Sequence, residues 1–185
     1  VEKVWFGDRG LERIFPEKGF HMPYPVSTET FMNLPEEKEK KDIGMLTALS
    51  NPQKNVMTQL AAVKLVQNNR PETLHVNGLP PFYKSFADRI DLSYIDHGFL
   101  PEDEYERLLR GLKVQSHIFL SESFSYATME SVLLGTPCVV SPCVAENLGI
   151  DEVFQVNDVD DPTEIAGAIE NILTVGEGTY RQFCD

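Results

Sequence analysis

From residue 42 onward, short apolar runs alternate with longer segments whose apolar residues recur at helical spacing. Residues 43–48 form the first apolar run, which has the length of a buried strand, and residues 52–67 follow with an apolar stripe typical of a helix. Strands that alternate with helices in this way pair in parallel through right-handed crossovers. The pattern therefore predicts an α/β fold, a Rossmann-like parallel sheet with helices on both faces.

The same reasoning divides the rest of the chain into elements. Later strands are expected at residues 74–77, 92–95, 116–120, 138–141 and 153–156. Later helices are expected at residues 82–88, 102–112, 126–134 and 162–173. Upstream of the sheet, we expect a strand at residues 1–6, a helical turn at 11–15 and an extended linker punctuated by prolines.

Ligands of open parallel sheets bind beyond the carboxyl ends of the strands, so the loops there are the first place to look for a site. Ser50, Asn51 and Lys54 follow the first predicted strand, and Gly78 follows the second. Ser50 and Asn51 could donate hydrogen bonds to a phosphate or serve only as turn residues. No Gly-x-Gly-x-x-Gly motif follows the first strand, which argues against a nicotinamide or flavin cofactor.

Residues 121–141, SESFSYATMESVLLGTPCVVS, contain a readable helix start. Ser125 can cap the helix, and Gly135 and Pro137 end it. The first-turn amides of Tyr126, Ala127 and Thr128, together with the positive end of the helix dipole, suit an anion such as a diphosphate.

Two carboxylates flank this helix start. Glu130, inside the helix, would repel a phosphate if it were aimed at it, and is better placed to accept hydrogen bonds from ribose hydroxyls. Glu122, in the loop before the helix, could do the same for a sugar, and the Lys54 ammonium could reach a β-phosphate as a point charge. These residue types in this order predict a site for a nucleotide sugar.

This pattern resembles the Glu-x7-Glu signature of family 4 glycosyltransferases. Glu122, Phe124, Glu130, Gly135 and Pro137 match the signature. Ser125 stands where the family usually has Gly, and Cys138 where it usually has Val. Further landmarks resemble the family in the expected order at residues 25–31, 54–55, 75–78 and 161–166.

The resemblance implies the C-terminal half of a GT-B glycosyltransferase, with residues 1–41 as an inter-domain hinge and residues 42–185 as the domain that binds the nucleotide sugar. It implies transfer with retention of configuration and without a metal or other cofactor, to a glycan or lipid-linked acceptor held by another domain. Glu122 and Lys54 are the implied catalytic residues. The implied nucleotide and sugar ligands are Glu130, Phe124, Ser125, Tyr126, Ala127, Ser50, Asn51 and Gly78.

One departure from the family keeps other functions open. Leu49 occupies the position where the family usually has an Arg, so one of two expected cations is missing. An epimerase or hydrolase acting on the same donor is a first alternative, with Glu146 or His97 as extra acid or base. A domain that binds the donor without catalysis is a second. The base, the sugar and the acceptor stay open.

Composition narrows the class of partner. A net charge of -13 argues against a nucleic-acid or anionic-membrane surface, because both need a basic field. The sequence has no apolar run long enough to be a transmembrane segment. Three cysteines cannot all pair internally, and we interpret them as free thiols of a reducing compartment. A cytoplasmic location is expected, with peripheral membrane attachment of the full-length protein left open.

Overall fold

The computed structural model describes residues 4–6, 19–21, 40–122, 124–148 and 154–175. Strands β1 (Val4–Phe6) and β2 (Gly19–His21) pair in parallel as a small separate sheet, which confirms the predicted first strand over residues 4–6. The helical turn at residues 11–15 and the family landmark at 25–31 lie outside the described residues. The division of the chain at residue 41 stays a prediction.

The main sheet has five parallel strands in the order β5-β4-β3-β6-β7. They are β3 (Lys41–Met45), β4 (Leu74–Val76), β5 (Tyr94–Asp96), β6 (Leu112–His117) and β7 (Cys138–Val140). The helices are α1 (Val56–Gln67), α2 (Pro81–Arg89), α3 (Glu102–Gly111), α4 (Tyr126–Leu133), α5 (Pro142–Leu148) and α6 (Pro162–Val175). This arrangement confirms the predicted fold class.

The strand order reverses once, and that reversal decides where the helices lie. The chain runs outward from β3 to β5 and then returns to lay β6 against the other side of β3. Because parallel crossovers are right-handed, α1 and α2 cover one face of the sheet and α3 and α4 the other. Helix α6 packs against α1. The gap between the ends of β3 and β6 is therefore the topological switch point of the sheet, where such folds bind ligands.

Apolar side chains fill both sides of the central strands. The larger core joins Ile43 and Met45 of β3 to the stripe of α1 that the sequence predicted and to Ile165 and Ile169 of α6, all buried. A smaller cluster on the opposite face joins Leu46 to Leu109 of α3 and to Leu134 after α4. The two clusters hold β3 rigidly, because burial of these side chains removes apolar surface from water on both faces.

The predicted strand at residues 116–120 was misplaced. Strand β6 begins at Leu112, directly after α3, and ends at His117. Lys113 and Gln115 concealed it, because a strand with polar residues at alternate positions lacks a continuous apolar run. Gln115 is nevertheless buried, and Lys113 pairs with Glu72 at 2.9 Å.

Two other elements differ from the sequence-based expectation. Residues 142–148 form helix α5, which was not predicted, and Pro142 at its first position has the fixed φ that a helix start favours. Strand β5 begins at Tyr94 rather than at residue 92. Of the short strand expected at 153–156, the described residues form a single parallel bridge between Gln155 and Val140.

The strand pair β3 and β6 generates a test of close packing. A Cβ atom on Gly44 would lie 2.4 Å from the Gln115 Oε1 and 2.4 Å from a Leu112 methyl group. We expect Gly44→Ala to lower the free energy of unfolding by about 1–3 kcal/mol, the usual cost of overpacking. The control is Gly167→Ala in α6, where a Cβ would meet no atom within 4 Å. Urea unfolding that ranked the two variants equal would contradict this account.

Candidate functional site

The loops that follow β3 and β6 meet at the switch point. The Leu120 amide, just beyond β6, donates a hydrogen bond of 2.8 Å to the Gln53 carbonyl in the loop after β3. This backbone contact brings together Lys54 from one loop and Glu122 from the other, two residues that the sequence assigned to one site.

Lys54 is the cation of this site. Its ammonium group donates to the Glu122 Oε2 and lies 3.8 Å from the centre of the Phe119 ring. Only 8% of Lys54 is exposed. A buried ammonium group is costly unless it is paired, and here a carboxylate and an aromatic face share the pairing.

The backbone around Lys54 is sharply bent. A short 3-10 helix covers Pro52–Lys54, and Asn55 then takes a left-handed conformation with φ 49 before α1 begins. The single helix expected at residues 52–67 is therefore broken at Asn55, a residue type that tolerates this conformation. The Asn55 side chain also donates to the Val159 carbonyl at 2.6 Å.

Ser50 and Asn51 are placed in the turn before this bend. The Asn51 side-chain oxygen accepts a hydrogen bond from the Gln53 amide at 3.0 Å and caps the short helix. Ser50 is exposed. Asn51 thus has a structural role in the turn, and phosphate binding by either residue stays a prediction.

Gln59 is a site residue that the sequence did not reveal. It is fully buried on the first turn of α1, and its amide donates to the carbonyls of Lys54 at 2.6 Å and Ile118 at 3.1 Å. Its oxygen accepts from the Ser116 hydroxyl at 2.7 Å and from the Ile118 amide at 3.2 Å. Polar residues beside an apolar helical stripe are normally exposed, so the pattern gave no signal.

The start of α4 confirms the predicted cap. The Ser125 Oγ accepts from the Thr128 amide at 3.3 Å and lies 2.7 Å from the Thr128 hydroxyl. The prediction that Thr128 offers a free amide is therefore wrong, because Ser125 occupies it. Gly135 follows the helix with φ 77, as a C′ residue should.

The remaining signature residues lie around this helix start. Phe124 is buried and packs edge-on against the half-exposed Tyr126 ring, with 4.9 Å between ring centres. Ala127 is partly buried in the first turn, and its carbonyl accepts from the Ser131 hydroxyl. The aromatic contact packs Phe124 against the first residue of α4.

His117, also missed from sequence, links the two parts of the site. Its Nδ1 lies 2.8 Å from the Thr128 hydroxyl oxygen, and its ring stacks on Phe119 with 5.4 Å between centres. Burial, and then the Lys54 charge, lower the pKa of His117 to about 3, although the Leu46 carbonyl opposes this. A neutral imidazole thus separates the Lys54 cation from the start of α4.

Glu130 projects from the second turn of α4. The Tyr105 hydroxyl of α3 donates to its Oε2 at 3.3 Å. Burial raises the pKa of Glu130, and the carboxylates of Glu102 and Glu106 add to this against the Tyr105 hydrogen bond. Glu130 is held by α3, whereas Glu122 is held by Lys54, so the two signature carboxylates have different surroundings.

Gly78 lies at the end of β4 with φ 83. Its amide donates to the Asp96 Oδ1 at 2.7 Å, and the Gly98 amide donates to the same oxygen at 3.0 Å. Lys84 completes the cluster at 2.7 Å from the other oxygen of Asp96. The amide of Gly78 is thus bound within the protein, and nucleotide binding by Gly78 stays a prediction.

A separate groove of about 460 Å³ lies beneath α3. His75 lies in it, partly exposed, with its Nδ1 2.9 Å from the His97 Nε2. Its Nε2 lies 3.3 Å from the Asp42 Oδ2. Lys54 and Glu122 do not line this groove, so His97 belongs to a different surface from the candidate site.

Other features of the sequence concern metals, thiols and membranes. Within the described ranges, no three histidine, cysteine, aspartate or glutamate side chains are grouped so as to hold a metal ion. Neither Cys138 nor Cys143 forms a disulfide, and Cys184 lies outside those ranges. None of the helices that the structure describes is both long and apolar enough to cross a membrane.

The sequence matches the model of a known protein family. The family model described as glycosyl transferases group 1 matches residues 40–175, which includes both loops of the switch point. No curated protein sequence matches the chain significantly.

Solved structures share the fold at low sequence identity. A UDP-forming alpha,alpha-trehalose-phosphate synthase from Burkholderia xenovorans is 12% identical, with a TM-score of 0.73 over 100% of this chain and 56% of that one. The N-terminal domain of a Candida albicans trehalose-6-phosphate phosphatase is 13% identical, with a TM-score of 0.75 over 100% and 53%.

An E. coli structure described as trehalose-6-phosphate bound with UDP-2-fluoro glucose is 15% identical, with a TM-score of 0.69 over 90% of this chain and 46% of that one. The chain thus spans about half the length of these structures, whose covered shares run from 46% to 56%.

The buried His117 generates a test by pH. An unfolded histidine binds a proton below its ordinary pKa of 6.5, whereas the folded one resists protonation down to about 3. Its contribution to stability is therefore complete above pH 6.5 and is lost as the pH falls. Between pH 7.5 and 5.0, we expect the free energy of unfolding to fall by about 2 kcal/mol more in the unaltered chain than in the His117→Phe variant. The difference grows by about 1.4 kcal/mol for each pH unit below 6.5. Parallel pH profiles of urea unfolding for the two chains would contradict the assignment.

Proposed function

We propose, since the chain belongs to the glycosyl transferases group 1 family, that it forms the nucleotide-sugar-binding half of a retaining glycosyltransferase. The observation that carries the proposal is the ion pair of the buried Lys54 with the partly buried Glu122 at the switch point of the sheet. In this position a cation and a carboxylate can meet the diphosphate and the sugar of one donor.

The diphosphate would bind between Lys54 and the start of α4. The Lys54 ammonium supplies a full positive charge, and the helix dipole adds a partial one near Tyr126 and Ala127. Preorganised positive charge of this kind stabilises the departing diphosphate as the bond to the sugar breaks. The E. coli structure bound with UDP-2-fluoro glucose supports a nucleoside-diphosphate sugar as the donor class.

The two carboxylates would bind the other parts of the donor, the sugar and the ribose. Glu122 holds Lys54 through an ion pair, and a bound phosphate would compete for that ammonium group and release the carboxylate toward the sugar hydroxyls. Glu130, oriented by the Tyr105 hydroxyl, would accept hydrogen bonds from the ribose.

The acceptor, a glycan or lipid-linked sugar, would be held by another domain across a cleft, with residues 1–41 as the hinge. We infer that no metal is required, because Lys54 and the dipole of α4 occupy the place of a cation. The position of the missing family Arg supports dependence on Lys54, since Leu49 is buried in the apolar core and brings no charge.

A binding domain without catalysis is the second candidate, and Leu49 is the observation that favours it. The Candida albicans neighbour belongs to a protein named a phosphatase, and one fold can serve several activities. The epimerase or hydrolase alternative is less well supported, because His97 is hydrogen-bonded to His75 in the groove beneath α3. Glu146 precedes Asn147, whose side chain reaches the Glu122 carbonyl at 3.4 Å, so it remains near the site.

Nucleotide binding tests the proposal. We expect Glu130→Ala to weaken binding of the preferred nucleoside diphosphate by about 1.5–3 kcal/mol, the value of hydrogen bonds to a charged group. Glu122→Ala should spare the bare diphosphate and weaken its sugar derivative. Calorimetry with UDP, GDP and ADP and their glucose derivatives measures both, with the exposed Glu104→Ala as control. A chain that binds none of these nucleotides at millimolar concentration would overturn the proposal.

Turnover distinguishes the enzyme from the binding domain. We expect this chain alone to transfer no sugar, because one wall of a cleft neither positions an acceptor nor excludes water. Joined to an acceptor-binding half, it should transfer sugar with retention of configuration and at the same rate in EDTA. Loss of turnover in EDTA would contradict the metal-independent mechanism, and nucleotide binding without turnover would favour the binding domain.

A further inference from the structure

Gln59 has more hydrogen bonds than a core position needs. All four bonding positions of its amide group are occupied, and its side chain is fully buried among the apolar residues of α1. An apolar residue of similar volume would pack there without the cost of burying an amide. A glutamine at position 59 therefore indicates a role that depends on the groups to which it is hydrogen-bonded.

Those partners are the two segments of the switch point. Beyond His117, strand β6 has ended, yet the Gln59 side chain pairs with both the amide and the carbonyl of Ile118. In doing so it acts as a one-residue extension of the sheet. The same side-chain nitrogen donates to the Lys54 carbonyl at 2.6 Å. One side chain thus joins the Lys54 carbonyl to the end of β6, in addition to the backbone hydrogen bond between Leu120 and Gln53.

That link controls the surroundings of the cation. Phe119 and Glu122, which hold the Lys54 ammonium, follow directly on the segment that Gln59 binds. We propose that Gln59 is a positioning residue, which fixes the Lys54 loop to the end of β6 and so holds the Lys54 ammonium where the donor diphosphate binds. The last step rests on the function proposed above.

The test compares two buried glutamines. Gln59→Met removes all four bonds at nearly constant volume, and the control Gln115→Met changes a fully buried glutamine of β6 whose Oε1 accepts from the Leu46 amide. Reductive methylation of Lys54, followed by mass spectrometry, reports how well that side chain is held. We expect the methylation rate of Lys54 to rise about tenfold in Gln59→Met, because the lost hydrogen bonds stabilise the held position by about that factor. The rate should stay unchanged in Gln115→Met.

Nucleoside diphosphate affinity provides the second measurement. The affinity of Gln59→Met should fall about tenfold for whichever of UDP, GDP and ADP the unaltered chain binds. Its affinity for the corresponding nucleoside should change little. In a Lys54→Met background it should lose nothing further, because a positioning residue acts only through the group it positions. If Gln59 had only a structural role, Gln59→Met would lower the affinity by the same factor with and without Lys54. That result would overturn the proposal.

The two measurements separate this inference from the proposed function. Equal Lys54 methylation rates in all chains would overturn the positioning role, whether or not a nucleotide binds. A rise in the rate in a chain that binds no nucleotide would uphold the positioning of Lys54 and reject the donor site. If Gln59→Met does not fold, Ser116→Ala removes one of the four bonds and is expected to give the same changes at smaller size.

Discussion

A buried ammonium group has to be paired, and much of the switch point is arranged around that requirement. Water cannot solvate the Lys54 charge, so Glu122 and the Phe119 ring surround it. Both come from the segment that follows β6, whereas Lys54 follows β3. The ion pair can therefore form only if two strands from distant parts of the chain lie side by side. The reversed strand order of the sheet places β6 next to β3 and so meets this condition.

The electrostatics of the site are local rather than global. The chain carries a net charge of -13, which would repel a free diphosphate at long range. Attraction has to come from within a few ångströms, where one ammonium group and the start of α4 act together. The neutral His117 between them matters for this reason, because a second buried cation at that point would raise the cost of burying Lys54.

Local patterns in the sequence predicted the parts of the structure that local forces decide. Residues 43–45 of the run predicted at 43–48 lie in β3, and the stripe of α1 and the cap at Ser125 were confirmed, because each depends on neighbours along the chain. The family signature also brought Lys54 and Glu122 into one hypothesis. By contrast, β6 was misplaced and Gln59 and His117 were missed, since their polar side chains are buried only through partners distant in sequence. No periodicity records a hydrogen bond between residues 59 and 118.

The separation of Lys54 and Glu122 by 68 positions has a kinetic consequence. The pairs β3 with β4 and β4 with β5 close through single crossovers, but β3 meets β6 only after the whole intervening segment is in place. Closing so long a loop carries an entropic cost and slows folding. A chain emerging during synthesis therefore exposes the Lys54 loop to solvent before Glu122 exists to receive it. Any partly folded form with β3 and β6 apart lacks the site altogether, so donor binding reports completion of the sheet.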